Sequence, residues 1–102
     1  MVMYHVVKHW DGGDLLSLYQ QIGDRAYEEY AERWPEAGEL NQYHIHYIHL
    51  HETLEQAREF AEEFGGEILE VNTGDLDIVI DSLEYPHPMV RDRIPAEYVK
   101  RI

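Results

Sequence analysis

Histidine is the residue through which this chain most plainly offers chemistry. His44, His46, His49 and His51 fall within one short run, and His5, His9 and His87 complete the set of seven. On a regular strand alternate side chains share a face, which predicts His44 with His46 on one side and His49 with His51 on the other. A His-x-His pair supplies two zinc ligands, and a third would have to come from His5, His9 or His87. No spacing here completes a metal motif, so no metal site is assigned, with zinc through His44 and His46 as the alternative. The plainer reading is a set of sheet-surface or partly buried histidines. Tyr4-His5 stands in an apolar run just before Gly12-Gly13, and Glu84 and Glu97 are two carboxylates in a chain that has many. A Ser-centred elbow, a phosphate-cradling Gly loop and a dinucleotide fingerprint are all missing, which leaves hydrolase and kinase readings without support.

These groups must be positioned by one small core. The chain has 102 residues, 44% of them apolar and 12% aromatic, which suits one domain over residues 1–102 that folds alone or as a small homo-oligomer. Asp and Glu number 21 against 8 Lys and Arg, giving a formal charge of −13. That charge repels a phosphate backbone and argues against a nucleic-acid partner, while it suits a basic protein. No Lys or Arg lies between Arg58 and Arg91, so an anionic middle precedes a cationic tail. Without cysteine there is no disulfide and no thiolate chemistry. Neither a leader nor an apolar run near the ~20 residues of a membrane span is present, so the expectation is a soluble, cytoplasmic protein without a membrane partner.

The elements follow from local pattern. Val2 to Lys8 is β-branched and aromatic and predicts a strand ended by the Gly12-Gly13 turn. Asp14 is placed to cap a helix whose apolar face carries Leu15, Leu18, Tyr19, Ile22, Ala26, Tyr30 and Trp34, divided at Gly23 and ended by Pro35. Tyr43 to His51 reads as a second strand, and Thr53-Leu54-Glu55-Gln56 as a capping box. The helix that follows is expected to bury Leu54, Ala57, Phe60, Ala61 and Phe64 and to stop at Gly65-Gly66. Glu67–Val71 and Leu76–Ile80 read as a hairpin. Pro86, Pro88 and Pro95 predict an extended surface run over 81–102, with one helical turn near Pro95 to Tyr98. The expected fold is α+β, a small mixed or antiparallel sheet of about four strands with two or three helices packed on it.

Several segments, taken in order, carry a resemblance. Tyr4-His5, the run from Ile48 through Ala61, Glu67-Ile68-Leu69-Glu70-Val71, and Arg93-Ile94-Pro95-Ala96-Glu97-Tyr98-Val99 together resemble the ADP-ribosyltransferase fold. In that family the first strand offers a His to the ribose of NAD, a second strand leads into an Ala-containing helix, and an Ile-Pro-x-Glu-Tyr-Ile segment follows the catalytic acid. The resemblance implies that His5, with Tyr4 beside it, binds NAD. His49 falls where the family commonly has the Tyr that stacks on nicotinamide. Glu84, in Leu83-Glu84-Tyr85-Pro86, matches the catalytic Glu that holds a ribose hydroxyl and steadies an oxocarbenium-like transition state. Arg91, with Lys8 and Arg93, is the implied source of positive charge for the pyrophosphate. Three functions are thus expected in turn: an ADP-ribosyltransferase-like domain, active or degenerate; an acidic module that binds a basic protein without catalysis; and a His-based metal protein.

Overall fold

The computed structural model describes residues 1–33, 45–81 and 85–102, with the backbone alone described at 33, 81 and 85–87. Among them are eight strands and three α-helices in an α+β arrangement. The strands are β1 (Val2–Val7), β2 (Leu15–Leu16), β3 (Tyr47–His49), β4 (Glu67–Asn72), β5 (Val79–Asp81), β6 (Tyr85–Arg91), β7 (Arg93–Ile94) and β8 (Val99–Arg101). The helices are α1 (Leu18–Ile22), α2 (Arg25–Arg33) and α3 (Leu54–Phe64). No helix among the described residues is long and apolar enough to cross a membrane.

All strand pairs are antiparallel and form three small sheets, in the orders β1-β4-β8, β2-β7 and β3-β6-β5. The first and third are joined where Tyr4 and His51 exchange both backbone hydrogen bonds, Tyr4 N to His51 O at 2.9 Å and His51 N to Tyr4 O at 2.7 Å. Leu50 N donates to Pro88 O at 2.9 Å, which carries the pairing on from β3 to β6. The small β2-β7 sheet is extended by Ser17 N donating to Asp92 O at 2.8 Å. One core results. Met3, Leu69, Val71 and Val99 come from the first sheet, Ile48, Leu50 and Val90 from the third sheet and its joint, and Leu15 and Ile94 from the small sheet.

Local chemistry explains most boundaries. Alternation along β1 puts Met3, His5 and Val7 on one face, opposite Val71, Leu69 and Glu67 of β4. Thr53 accepts from Gln56 N at 3.2 Å and opens α3, while the Gln56 carboxamide accepts from Glu52 N, one residue before the cap. Gly23, at φ 65°, separates α1 from α2 as expected.

The structure departs from sequence expectation in several places, one of them Leu15, which lies in β2 and not on a helix face. Asp14 caps no helix: its carboxylate accepts from Ala96 N at 2.8 Å and pairs with Arg93 at 3.6 Å, and Ser17 caps α1 instead. The expected hairpin of 67–71 with 76–80 does not form, because β4 lies between β1 and β8 while β5 pairs with β6. The segment 81–102 is not a surface run. It supplies β6, β7 and β8 and buries Pro88, Met89, Val90, Ile94 and Val99, although the helical turn near Pro95 is present as a 3₁₀ turn at Ala96–Tyr98. Finally, Phe60 and Phe64 are 40% and 36% exposed. The side of α3 that turns inward carries buried Ala57 with half-buried Leu54 and Ala61.

Gly66 shows how closely α3 is drawn to the sheet. At φ 113°, any side chain there would drive its Cβ into the Val7 carbonyl, whereas Gly12, at φ 93°, faces open space. Both replacements by Ala carry the left-handed backbone cost of about 1 kcal/mol. Gly66→Ala adds a collision with backbone, so it is expected to lose about 3 kcal/mol or more against about 1 kcal/mol for Gly12→Ala. Urea unfolding of the two variants beside the parent checks this ordering.

Candidate functional site

His5 sits in the middle of β1, half-buried, facing the same way as buried Met3. Its Nδ1 lies 2.7 Å from the backbone oxygen of His49 on β3. A carbonyl only accepts, so Nδ1 must carry the proton. In a neutral ring Nε2 is then an acceptor. Burial pushes the His5 imidazole down from 6.5 to about 4; the His49 carbonyl opposes this, and neighbouring His51 adds a smaller push in the same direction. The ring is therefore neutral at physiological pH, with its tautomer set by a backbone carbonyl.

Tyr4, His5, His49 and His51 are brought together by the β1–His51 joint. Tyr4 and His51 are bonded backbone to backbone, and the His51 ring leans on Phe60 with centroids 5.1 Å apart. Arg91 lies elsewhere. It pairs across the sheet with Tyr47, at the opposite end of β3 from the His51 joint; its guanidinium lies 5.7 Å from the Tyr47 ring centroid and 3.6 Å from the Asp92 carboxylate. Glu84 and His44 lie outside the described residues. The first strand and β6, which leads to the Ile94-Pro95 turn, are not direct neighbours, since β3 and its extension through His51 stand between them.

His49 and His51 alternate with buried Ile48 and Leu50 as expected, but His46 does not lie on the strand. Residues 45 and 46 are helical and the strand begins only at Tyr47, although the His46 carbonyl still accepts from Asp92 N at 2.9 Å. Its Nε2 meets the Tyr27 hydroxyl at 2.9 Å, and its ring lies 4.6 Å from that of Tyr19. Among the described residues no group of three His, Cys, Asp or Glu side chains is arranged to hold a metal ion.

Sequence reasoning missed a second polar cluster that ties the chain's beginning to its end. Glu67 accepts from Trp10 N at 3.1 Å and from Arg101 Nε at 3.0 Å, and Arg101 also donates to the Trp10 carbonyl and covers the indole at 4.9 Å. The Trp10 amide, more than the Arg101 guanidinium, holds the Glu67 carboxyl below its ordinary value. Only the opposite charges of Glu67 and Arg101 hinted at it in the sequence. A shallow depression of about 310 Å³ lined by Leu54, Arg58, Ala61, Gly66, Ile68 and Ile102, among others, includes neither His5 nor His49. Pocket shape therefore does not select the histidine site, whose claim rests on hydrogen bonding.

The neutral His5 has a consequence for stability. Above pH 6.5 the ring is uncharged in both folded and unfolded chains; below it the unfolded chain takes up a proton that the folded one refuses until about pH 4. Stability contributed by His5 is thus present at pH 7 and lost on acidification, by about 2 kcal/mol at pH 5. In a ring-proton NMR titration His5 should keep its neutral shift at pH 5, and His5→Gln should flatten this part of the urea-midpoint profile. Titration of the ring near 6.5 would contradict the buried, carbonyl-bound geometry.

No family model matches the chain, and neither a curated protein nor a solved structure matches it.

Proposed function

We propose that this domain is ADP-ribosyltransferase-like and binds NAD beside β1, with His5 accepting a hydrogen bond from a ribose hydroxyl. The observation that supports this is the fixed tautomer of His5: Nδ1–H is committed to the His49 carbonyl and burial keeps the ring neutral. A ribose hydroxyl can donate to an acceptor of that kind, which a protonated imidazole would not provide. His49, whose carbonyl holds Nδ1, is the neighbour that would frame the nicotinamide, whereas Tyr4, adjacent to His5 along β1, points to the other face of the strand.

The cations that the resemblance implies for the pyrophosphate are spread over the fold, Arg91 on β6, Arg93 on β7 and Lys8 after β1. Arg91 and Arg93 are engaged with Asp92 and Asp14, but both guanidinium side chains are more than half exposed. Exposed pairs of this kind are worth ~0–1 kcal/mol, so either cation exchanges its carboxylate for a pyrophosphate at little cost. Lys8 donates to the Phe64 carbonyl at the end of α3 and is the cation that directly follows β1. NAD brings an activated glycosidic bond to nicotinamide, and Glu84 is the carboxylate assigned to hold the ribose as that bond weakens.

An NAD titration followed by amide NMR tests the proposal. Shifts should cluster at Tyr4, His5, His49 and His51, and His5→Ala should weaken binding about tenfold, the worth of one lost hydrogen bond. Unchanged spectra at millimolar NAD remove the reading. If NAD binds, Glu84→Gln should leave affinity within about twofold while abolishing nicotinamide release.

A further inference from the structure

The exposed edge of α3 is a feature the NAD reading does not use. Phe60 and Phe64 stack on one another with centroids 4.6 Å apart, and the His51 ring supports Phe60 from the sheet side. Their burial was the expectation of helical periodicity, yet both remain more than a third exposed. Glu59 and Glu63 each precede one of the rings in sequence, Glu62 stands between them, and all three are exposed.

The exposed flank of α3 is acidic, and among the described residues the one cation at the helix end is Lys8, brought there from beyond β1. A helix C-terminus carries the negative end of the macrodipole and favours Lys, Arg or protonated His in its last turn. The last turn of α3 has no basic residue and instead carries Glu62 and Glu63. By helical spacing Glu59 and Glu63 fall on the flank of α3 that carries Phe60 and Phe64, while Glu62 falls on the far side and Lys8 donates to the Phe64 carbonyl at the helix end. Aromatic faces attract cations by their quadrupole, most strongly for Arg and Lys, and carboxylates reinforce that attraction. The formal charge of −13 makes the surrounding field attractive to the same class of partner.

We infer that this edge of α3, built from Glu59, Phe60, Glu63 and Phe64, docks a basic segment of another protein by receiving an Arg or Lys side chain over the paired phenylalanines. The site is distinct from His5 and does not depend on NAD.

The test uses the full chain and an acetylated, amidated oligo-arginine peptide, with affinity measured by titration calorimetry and contacts mapped by amide NMR. Phe60→Ala with Phe64→Ala, which leaves net charge unchanged, should weaken binding about tenfold. Phe60→Leu with Phe64→Leu keeps apolar volume but removes the π faces; it should lose nearly as much, and it guards against a folding defect in the alanine variant. Glu59→Gln with Glu63→Gln should weaken binding more than Glu28→Gln with Glu32→Gln, which removes the same charge from exposed positions of α2. Either of two results would overturn the inference: affinities within about twofold of the parent for both Phe double variants, or equal losses from the α2 and α3 glutamine pairs. The latter would mean bulk charge attraction without a site.

Discussion

The exchange of two backbone hydrogen bonds between Tyr4 and His51 is the joint on which the structure turns. It converts β1, already paired with β4, from an edge strand into an interior one and fastens two three-stranded sheets to each other. Small sheets of that size are marginal when isolated, and joining them lets both contribute to one hydrophobic cluster. The His5 ring adds a third bond across the same joint, from side chain to the His49 carbonyl. Because the ring is half-buried and its Nδ1–H is given to a carbonyl, the same contact that closes the joint also fixes the tautomer. Fold and candidate chemistry therefore share one bond.

What was legible in the sequence was local. The β1 run, the Gly23 break, the Thr53 cap, the extent of α3 and the turn after Pro95 all follow from side chains acting within a few residues of themselves. Strand partners were not legible, because pairing depends on residues far apart. Pro86 and Pro88 argued for a surface segment, yet Pro88 is fully buried within β6. Proline removes one donor from a ladder but leaves its carbonyl, which here accepts from Leu50. Asp14 misled for a related reason: its carboxylate is engaged by Ala96 and Arg93, near the other end of the chain. At the candidate site the sequence pointed to His5 as a strand histidine, but its partner is a main-chain carbonyl, which side-chain identity does not encode. His46 was misplaced because the strand starts one residue after it.

The phenylalanines of α3 show a limit of periodicity as a guide to burial. An apolar stripe at helical spacing identifies residues on one side of a helix, but the width that is covered depends on how near the helix lies to its neighbour. Ala57, fully buried, and Ala61, half-buried, are small enough to let α3 approach closely, and Gly66 permits the chain to pass beside Val7. Close approach along that line leaves the larger rings at the margin. The same geometry that economises on volume inside thus puts aromatic area outside, beside a row of glutamates.

The strand order also bears on how the chain reaches this state. β1 pairs with β4, β2 with β7 and β4 with β8, so nearly every ladder joins segments separated by much of the sequence, and the β5-β6 hairpin is the local exception. Distant pairings require large loops to close before their contacts give any return. Acquisition of the native topology should therefore be slow beside that of a helical bundle of equal length, with ordering of the sheets late and concerted rather than strand by strand.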